Sequence, residues 1–201
     1  MKNPGLSYFW ETFMYEIIWH GRGGQGVVVA AQVLAESAYL QGFKGVTSAP
    51  TFGPERRGAP LTASTRISDT PLRTFSQIEF ADIAVVLDPS LLKIVDIQNS
   101  VRDGGLIIIN TGLPPDHFQI RKGLKVAVID AVKIAWKYHL LKEGAPIVNT
   151  PLLGAFARAA GLVSLECMEK GLKKKLPGKV VAANSMALKA AYEQVIIKEL
   201  R

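Results

Sequence analysis

Between Tyr15 and Gly26 the chain reads YEIIWHGRGGQG, a short apolar run that gives way to glycines and then to a helix-forming stretch. Gly21, Gly23 and Gly26 satisfy the spacing G-x-G-x-x-G, which lets backbone approach a phosphate where a strand turns into a helix. Glycines admit positive φ and carry no Cβ, so free N–H groups and the helix dipole can face an anion. The same turn can also serve as a tight strand-to-helix junction that binds nothing. Arg22 lies inside the turn with Gly24 and Gln25, and Arg56-Arg57 lie in the loop APTFGPERRGAP, Ala49–Pro60. Guanidinium forks suit phosphate oxygens. Gln25 can bond a ligand or simply its own turn.

One absent residue narrows the ligand. An NAD site places a carboxylate about 20 residues after the turn, at the end of the second strand, to hold the ribose diol. Gln41–Val46 contains none, and Glu36 falls inside the predicted helix. A phosphate-rich ligand therefore fits this turn better than NAD.

The remaining reactive residue types do not assemble into a catalytic set. His20 ends the apolar run with no serine, cysteine or carboxylate beside it, and a lone strand-end histidine reads first as a satisfied structural residue. His117 and His139 look peripheral. Cys167, beside Met168, reads as a core residue. As the only cysteine it excludes an intrachain disulfide, a CxxC redox pair and a four-cysteine cluster, and it favours a reducing, cytoplasmic compartment. No metal site is expected. Asp88, Asn110-Thr111 and Asp130 follow apolar runs; Asp88, Asp130 and Thr150 read as helix caps, while Asn149 can face a crevice.

These residues need a scaffold, and its elements alternate. Tyr15–His20 reads as a strand, Gly24–Leu40 as a helix stopped by Gly42, and Lys44–Ser48 as a second strand. The loop Ala49–Pro60 follows, with its prolines and glycines. Leu61–Ser68 alternates with period two, the pattern of a strand with one solvated face, antiparallel to a neighbour. Ile83–Leu87, Leu106–Asn110 and Val126–Ile129 are continuous apolar runs, the pattern of strands buried on both faces. Helices are expected after Asp88-Pro89, over Ala131–Leu141, from Thr150-Pro151, and around Leu165–Leu176 and Val180–Leu200. The fold class is α/β: one three-layer α/β/α domain with a mostly parallel sheet, a Rossmann-like first unit and a helical C-terminal third.

Composition agrees with one globular domain of 201 residues, 48% hydrophobic and 20% charged. The net charge of +7 is scattered; the one dense run, Lys173–Lys175, reads as a solvated face near a helix end. Nucleic-acid binding is therefore not expected, and no apolar run is long enough for a membrane span. Residues 1–14 read as an N-terminal extension that packs on a partner or precedes the true start at Met14, and residues 15–201 as the domain proper.

The order HGRGGQG, FGPERRGAP, an alternating strand, a buried strand ending in Leu87-Asp88 and then NTPLLGA resembles the gamma subunits of 2-oxoacid:ferredoxin oxidoreductases, from Tyr15 to the C-terminus. The pyruvate and 2-ketoisovalerate enzymes are the best-known members. The resemblance implies a subunit inactive alone, joined to alpha, beta and delta-type partners. Those partners carry thiamine diphosphate with Mg and the [4Fe–4S] clusters, decarboxylate a 2-oxoacid and pass electrons to ferredoxin. It implies coenzyme A handling for this chain, with Gly21–Gly26 as the anion-binding turn, Arg56-Arg57 facing the coenzyme or a neighbour, and Asn149 and Thr150 as crevice residues. A free-standing nucleotide-binding or regulatory module is the alternative.

Overall fold

The computed structural model describes residues 13–50, 58–74 and 76–199. The extension before Phe13 and the pair Arg56-Arg57 lie outside them. Seven strands form one sheet: β1 (Met14–Arg22), β2 (Gly45–Pro50), β3 (Pro60–Ser68), β4 (Ala81–Val86), β5 (Val101–Asn110), β6 (Lys125–Ile129) and β9 (Ile196–Glu199). Their order is β2-β3-β1-β4-β5-β6-β9. The central pairs β1–β4, β4–β5 and β5–β6 are parallel, whereas β3 runs against both β1 and β2, and β9 runs against β6. A two-stranded ribbon, β7 (Leu141–Lys142) with β8 (Ala145–Pro146), stands apart. The helices are α1 (Val27–Gln41), α2 (Ala131–Lys137), α3 (Asn149–Ala160), α4 (Leu165–Lys175) and α5 (Gly178–Gln194).

Alternation along each strand sends one set of side chains to each face. Ile17, Trp19, Val85, Leu87 and Ile108 join the core built by all five helices. Trp19 stacks on Phe156 of α3, with ring centroids 6.0 Å apart, and its indole N–H bonds Thr65 Oγ1 at 3.2 Å. On the opposite face Val86, Ile107, Ile109, Val126 and Val128 meet Leu91, Ile97 and Leu124. That cover comes from loops and short 3-10 turns, so the third layer is thin. Asp88 does cap the segment after β4, with Oδ1 accepting from Ser90 N at 3.0 Å, but the segment is only a 3-10 turn over Pro89–Lys93.

Several boundaries differ from expectation for readable reasons. Gly24 and Gly26 have φ of 96° and 80°, so α1 cannot begin before Val27. The supposed solvated face of β3 is closed: Arg66 is 5% exposed, with Nε 2.8 Å from Glu16 Oε1. Arg102 holds the other Glu16 oxygen at 2.6 Å and Asp82 at 2.9 Å. Burial alone would raise the Glu16 pKa, but hydrogen bonds and charge from the two arginines outweigh it and hold the carboxyl below its ordinary value. α2 stops at Lys137 because the chain turns at His139, φ 55°, into the β7–β8 ribbon. Thr150 lies within α3, whose cap position is Val148, so it is not the cap. The C-terminal third is not helical throughout. After α5 the β-branched Val195-Ile196-Ile197 leaves the helix, and β9 closes the sheet edge at β6.

Candidate functional site

From β1 the chain crosses through α1 to β2 on one side; from β4 it continues to β5 on the other. The carboxyl ends of β1 and β4 therefore form the topological switch point, where open α/β sheets hold their ligands. A crevice of about 910 Å³ lies there. The end of β1 and the first turn of α1 form one wall, Ala59–Thr62 another, and the approach to α3 with the β7–β8 ribbon a third.

The glycine turn has two flanks. Arg22 is spent internally: Nε meets Asp88 Oδ2 at 2.7 Å, one terminal nitrogen donates to Gly58 O at 3.1 Å and the other to Ser90 Oγ at 2.8 Å. Burial would raise Asp88, but bonds from Ser90 and from Arg22 hold its carboxyl below the ordinary value. The backbone N–H of Arg22 donates to Gln25 Oε1 at 2.8 Å, so Gln25 serves its own turn. Gly23 N–H donates to Ala59 O, and Gly58 N–H to Gly23 O. Thus the end of the Ala49–Pro60 loop is fastened to the turn one residue after Arg57.

The other flank is bare. Gly26 occupies the cap position of α1 with no side-chain cap, and the first turn carries no acidic residue. Its occupants are Val27, Val28 and Val29, a β-branched run that favours strand over helix. Their N–H groups have no partner among the described residues, and all three residues line the crevice. Local rules broken at a helix start mark a site shaped for something other than stability.

Asn149 and Thr150 hold this flank from behind rather than lining the crevice. Asn149 Nδ2 donates to Gly26 O at 3.3 Å, and its Oδ1 accepts from Thr150 N at 2.8 Å. Thr150 Oγ1 donates to Asn184 Oδ1 at 2.6 Å. A Cβ at Gly26 would lie 2.5 Å from Asn149 Nδ2, so this glycine is demanded twice, by φ and by contact. Asn110 is likewise committed, donating to Leu87 O at 2.8 Å and accepting from Ala131 N at 3.1 Å. Asp130 caps α2 as expected, accepting from Lys133 N at 2.8 Å.

His20 is the residue that sequence reasoning misjudged. It is 6% exposed, lines the crevice, and its Nε2 has no hydrogen-bond partner among the described residues. A strand-end histidine carries no local signal that its ring lacks a partner, because the partner would come from elsewhere in the fold. The other loose ends are ordinary. Lys173 and Lys174 pair with Glu169 and Glu36. Cys167 is half-buried beside the fully buried Met168. Among the described residues no three histidine, cysteine or acidic side chains gather as a metal site would require, and no helix is long and apolar enough to cross a membrane.

Comparison with known proteins places these features in a family. Residues 16–194 match the family described as pyruvate ferredoxin/flavodoxin oxidoreductase. The pyruvate/ketoisovalerate oxidoreductases common subunit gamma of Thermococcus litoralis is 45% identical over 190 residues, 93% of this chain and 100% of that protein. The pyruvate synthase subunit PorC of Methanothermobacter thermautotrophicus is 44% identical over 182 residues, 90% of this chain and 96% of its own length. The crystal structure of the pyruvate oxidoreductase subunit PORC of Thermotoga maritima superposes with a TM-score of 0.78 at 36% identity, covering 92% of this chain and 99% of that one. Matched to these subunits over more than nine-tenths of its length, the chain belongs to the pyruvate ferredoxin/flavodoxin oxidoreductase family as a gamma subunit.

Proposed function

We propose that this gamma subunit takes part in coenzyme A handling, holding the coenzyme's phosphates at the N-terminus of α1 while partner subunits perform the chemistry. One observation carries the reading: the first turn of α1 is uncapped, free of acidic residues and open to the switch-point crevice. The described end of β2, Ser48–Pro50, offers no carboxylate for a ribose diol, which disfavours an NAD-binding module. Arg56 and Arg57, two and one residues before the fastened Gly58, supply positive charge for a further phosphate. Within the complex, alpha, beta and delta-type subunits carry thiamine diphosphate and iron–sulfur clusters. They convert a 2-oxoacid to its acyl-CoA and reduce ferredoxin. The lone cysteine suits a reducing, cytoplasmic setting.

The test is Val29→Glu in the reconstituted complex. Val29 is the third residue of α1, lines the crevice and is 37% exposed. A carboxylate there suits the helix dipole, so folding is preserved while an anion is repelled. The KM for coenzyme A rises about tenfold or more and the KM for the 2-oxoacid does not. An unchanged coenzyme A KM would overturn the reading. Preference for coenzyme A over its 3′-dephospho form, lost in Arg56→Ala or Arg57→Ala, tests the loop arginines.

A further inference from the structure

The geometry points to His20 as the specificity-determining residue of the crevice. Its Nε2 hydrogen-bonds an uncharged polar group, an amide or a hydroxyl, on the arm of the ligand whose phosphates sit at α1. The inference rests on the coenzyme A reading and adds to it the residue that tells the coenzyme from a bare phosphate.

His20 lies on β1 directly across from Thr62 of β3 and beside Val86 of β4, on the face opposite Trp19. Leu91, packed with Val86, and Val95 line the same crevice and are apolar, while Thr62 across the strand pair is its polar neighbour. Leaving a buried nitrogen unbonded in such surroundings destabilises the fold, and native proteins rarely do so without a reason. A purely structural position beside Val86 and Leu91 would be better served by an aliphatic residue. Only one other buried side-chain polar atom among the described residues lacks a partner, Ser185 Oγ on α5, and it does not line this crevice. His20 is thus the buried polar side chain that lacks a partner where a ligand would bring one.

The ring's chemistry selects the kind of group it meets. Burial pushes the His20 pKa down to about 4, so the imidazole is neutral at physiological pH. A neutral ring is a poor phosphate ligand but a good donor or acceptor for an amide or hydroxyl. The free N–H groups of Val27–Val29 take the opposite role, facing charge. One crevice therefore offers an anion end and a neutral polar end. That combination fits a molecule with a pyrophosphate and an amide-bearing arm, and not inorganic pyrophosphate alone.

The experiment compares two probes, coenzyme A and inorganic pyrophosphate, on the reconstituted complex without 2-oxoacid, by calorimetry. His20→Leu is expected to weaken coenzyme A binding about tenfold, with pyrophosphate binding unchanged. His20→Gln, which keeps a donor and an acceptor, restores most of the loss. The melting temperature of His20→Leu is not lowered, because an unpartnered polar group has been removed. If His20→Leu fails to assemble, the pliant apolar His20→Met takes its place. Coenzyme A affinity unchanged in His20→Leu, while Val29→Glu still weakens both probes, overturns the role of His20 alone. Neither variant weakening either probe overturns the underlying coenzyme A reading as well.

Discussion

The two flanks of the glycine turn face one another across six residues and are built on opposite principles. On the Arg22 flank the guanidinium is answered by Asp88, Ser90 and Gly58, and the backbone N–H groups of Arg22 and Gly23 by Gln25 and Ala59. On the α1 flank the first-turn N–H groups are left unanswered among the described residues, as is His20 Nε2 at the end of β1. The arginine that looks most like a phosphate ligand in the sequence is thereby a brace. The positive end that remains available belongs to backbone, held in place by Asn149. A binding turn needs a rigid half so that its open half keeps its shape without a ligand.

The comparison breaks most visibly at Gly26. Gly26→Ala adds left-handed strain and a Cβ 2.5 Å from Asn149 Nδ2, and is expected to destabilise the chain by about 4 kcal/mol in urea unfolding. Asn149→Ala in the same background relieves part of that loss, and the double-mutant cycle shows coupling. Gly24→Ala carries a similar φ but meets open space, so about 1 kcal/mol is expected. A loss at Gly24 as large as that at Gly26 would remove the distinction between the flanks.

His20 yields the next largest effect, read against pH. Its folded pKa of about 4 lies below the ordinary 6.5, so the unfolded chain takes up the proton first as pH falls. This titration costs nothing above pH 6.5, where the ring is neutral in both states, and lowers stability by about 3 kcal/mol as pH falls from 6.5 to about 4. Urea midpoints measured across that window should flatten in His20→Leu. An unaltered slope would mean that the ring is not buried neutral.

Arg22→Ala comes third. It removes a partly exposed clamp, so about 1 kcal/mol of stability is expected to go, while coenzyme A affinity stays close to wild type. A large loss of affinity with little loss of stability would reassign Arg22 to the ligand. Val29→Glu has the smallest effect on stability, a gain of about 0.5 kcal/mol from the helix dipole, against its marked effect on binding. That opposition between folding and binding distinguishes the open flank from the braced one.

What could be read from residues alone is what depends on neighbours in the chain. Strand period and apolar run length placed β1, β4, β5 and β6. Glycine spacing located the turn, and the missing carboxylate argues against NAD from the chain alone. Burial and partnering depend on residues far apart, and there the tertiary structure decided. Arg66 is buried because Glu16, fifty positions away, answers it. Arg22 is consumed because Asp88 lies across the switch point, and Asn149 supports Gly26 from 123 residues away. β9 forms because an open sheet edge at β6 receives a β-branched tail. His20 shows the division most sharply. The sequence supplies an imidazole at a strand end, but only the packed fold strips away its water and withholds a partner. That happens because hydrogen bonding is satisfied by whatever the fold brings near, not by what stands next in the chain.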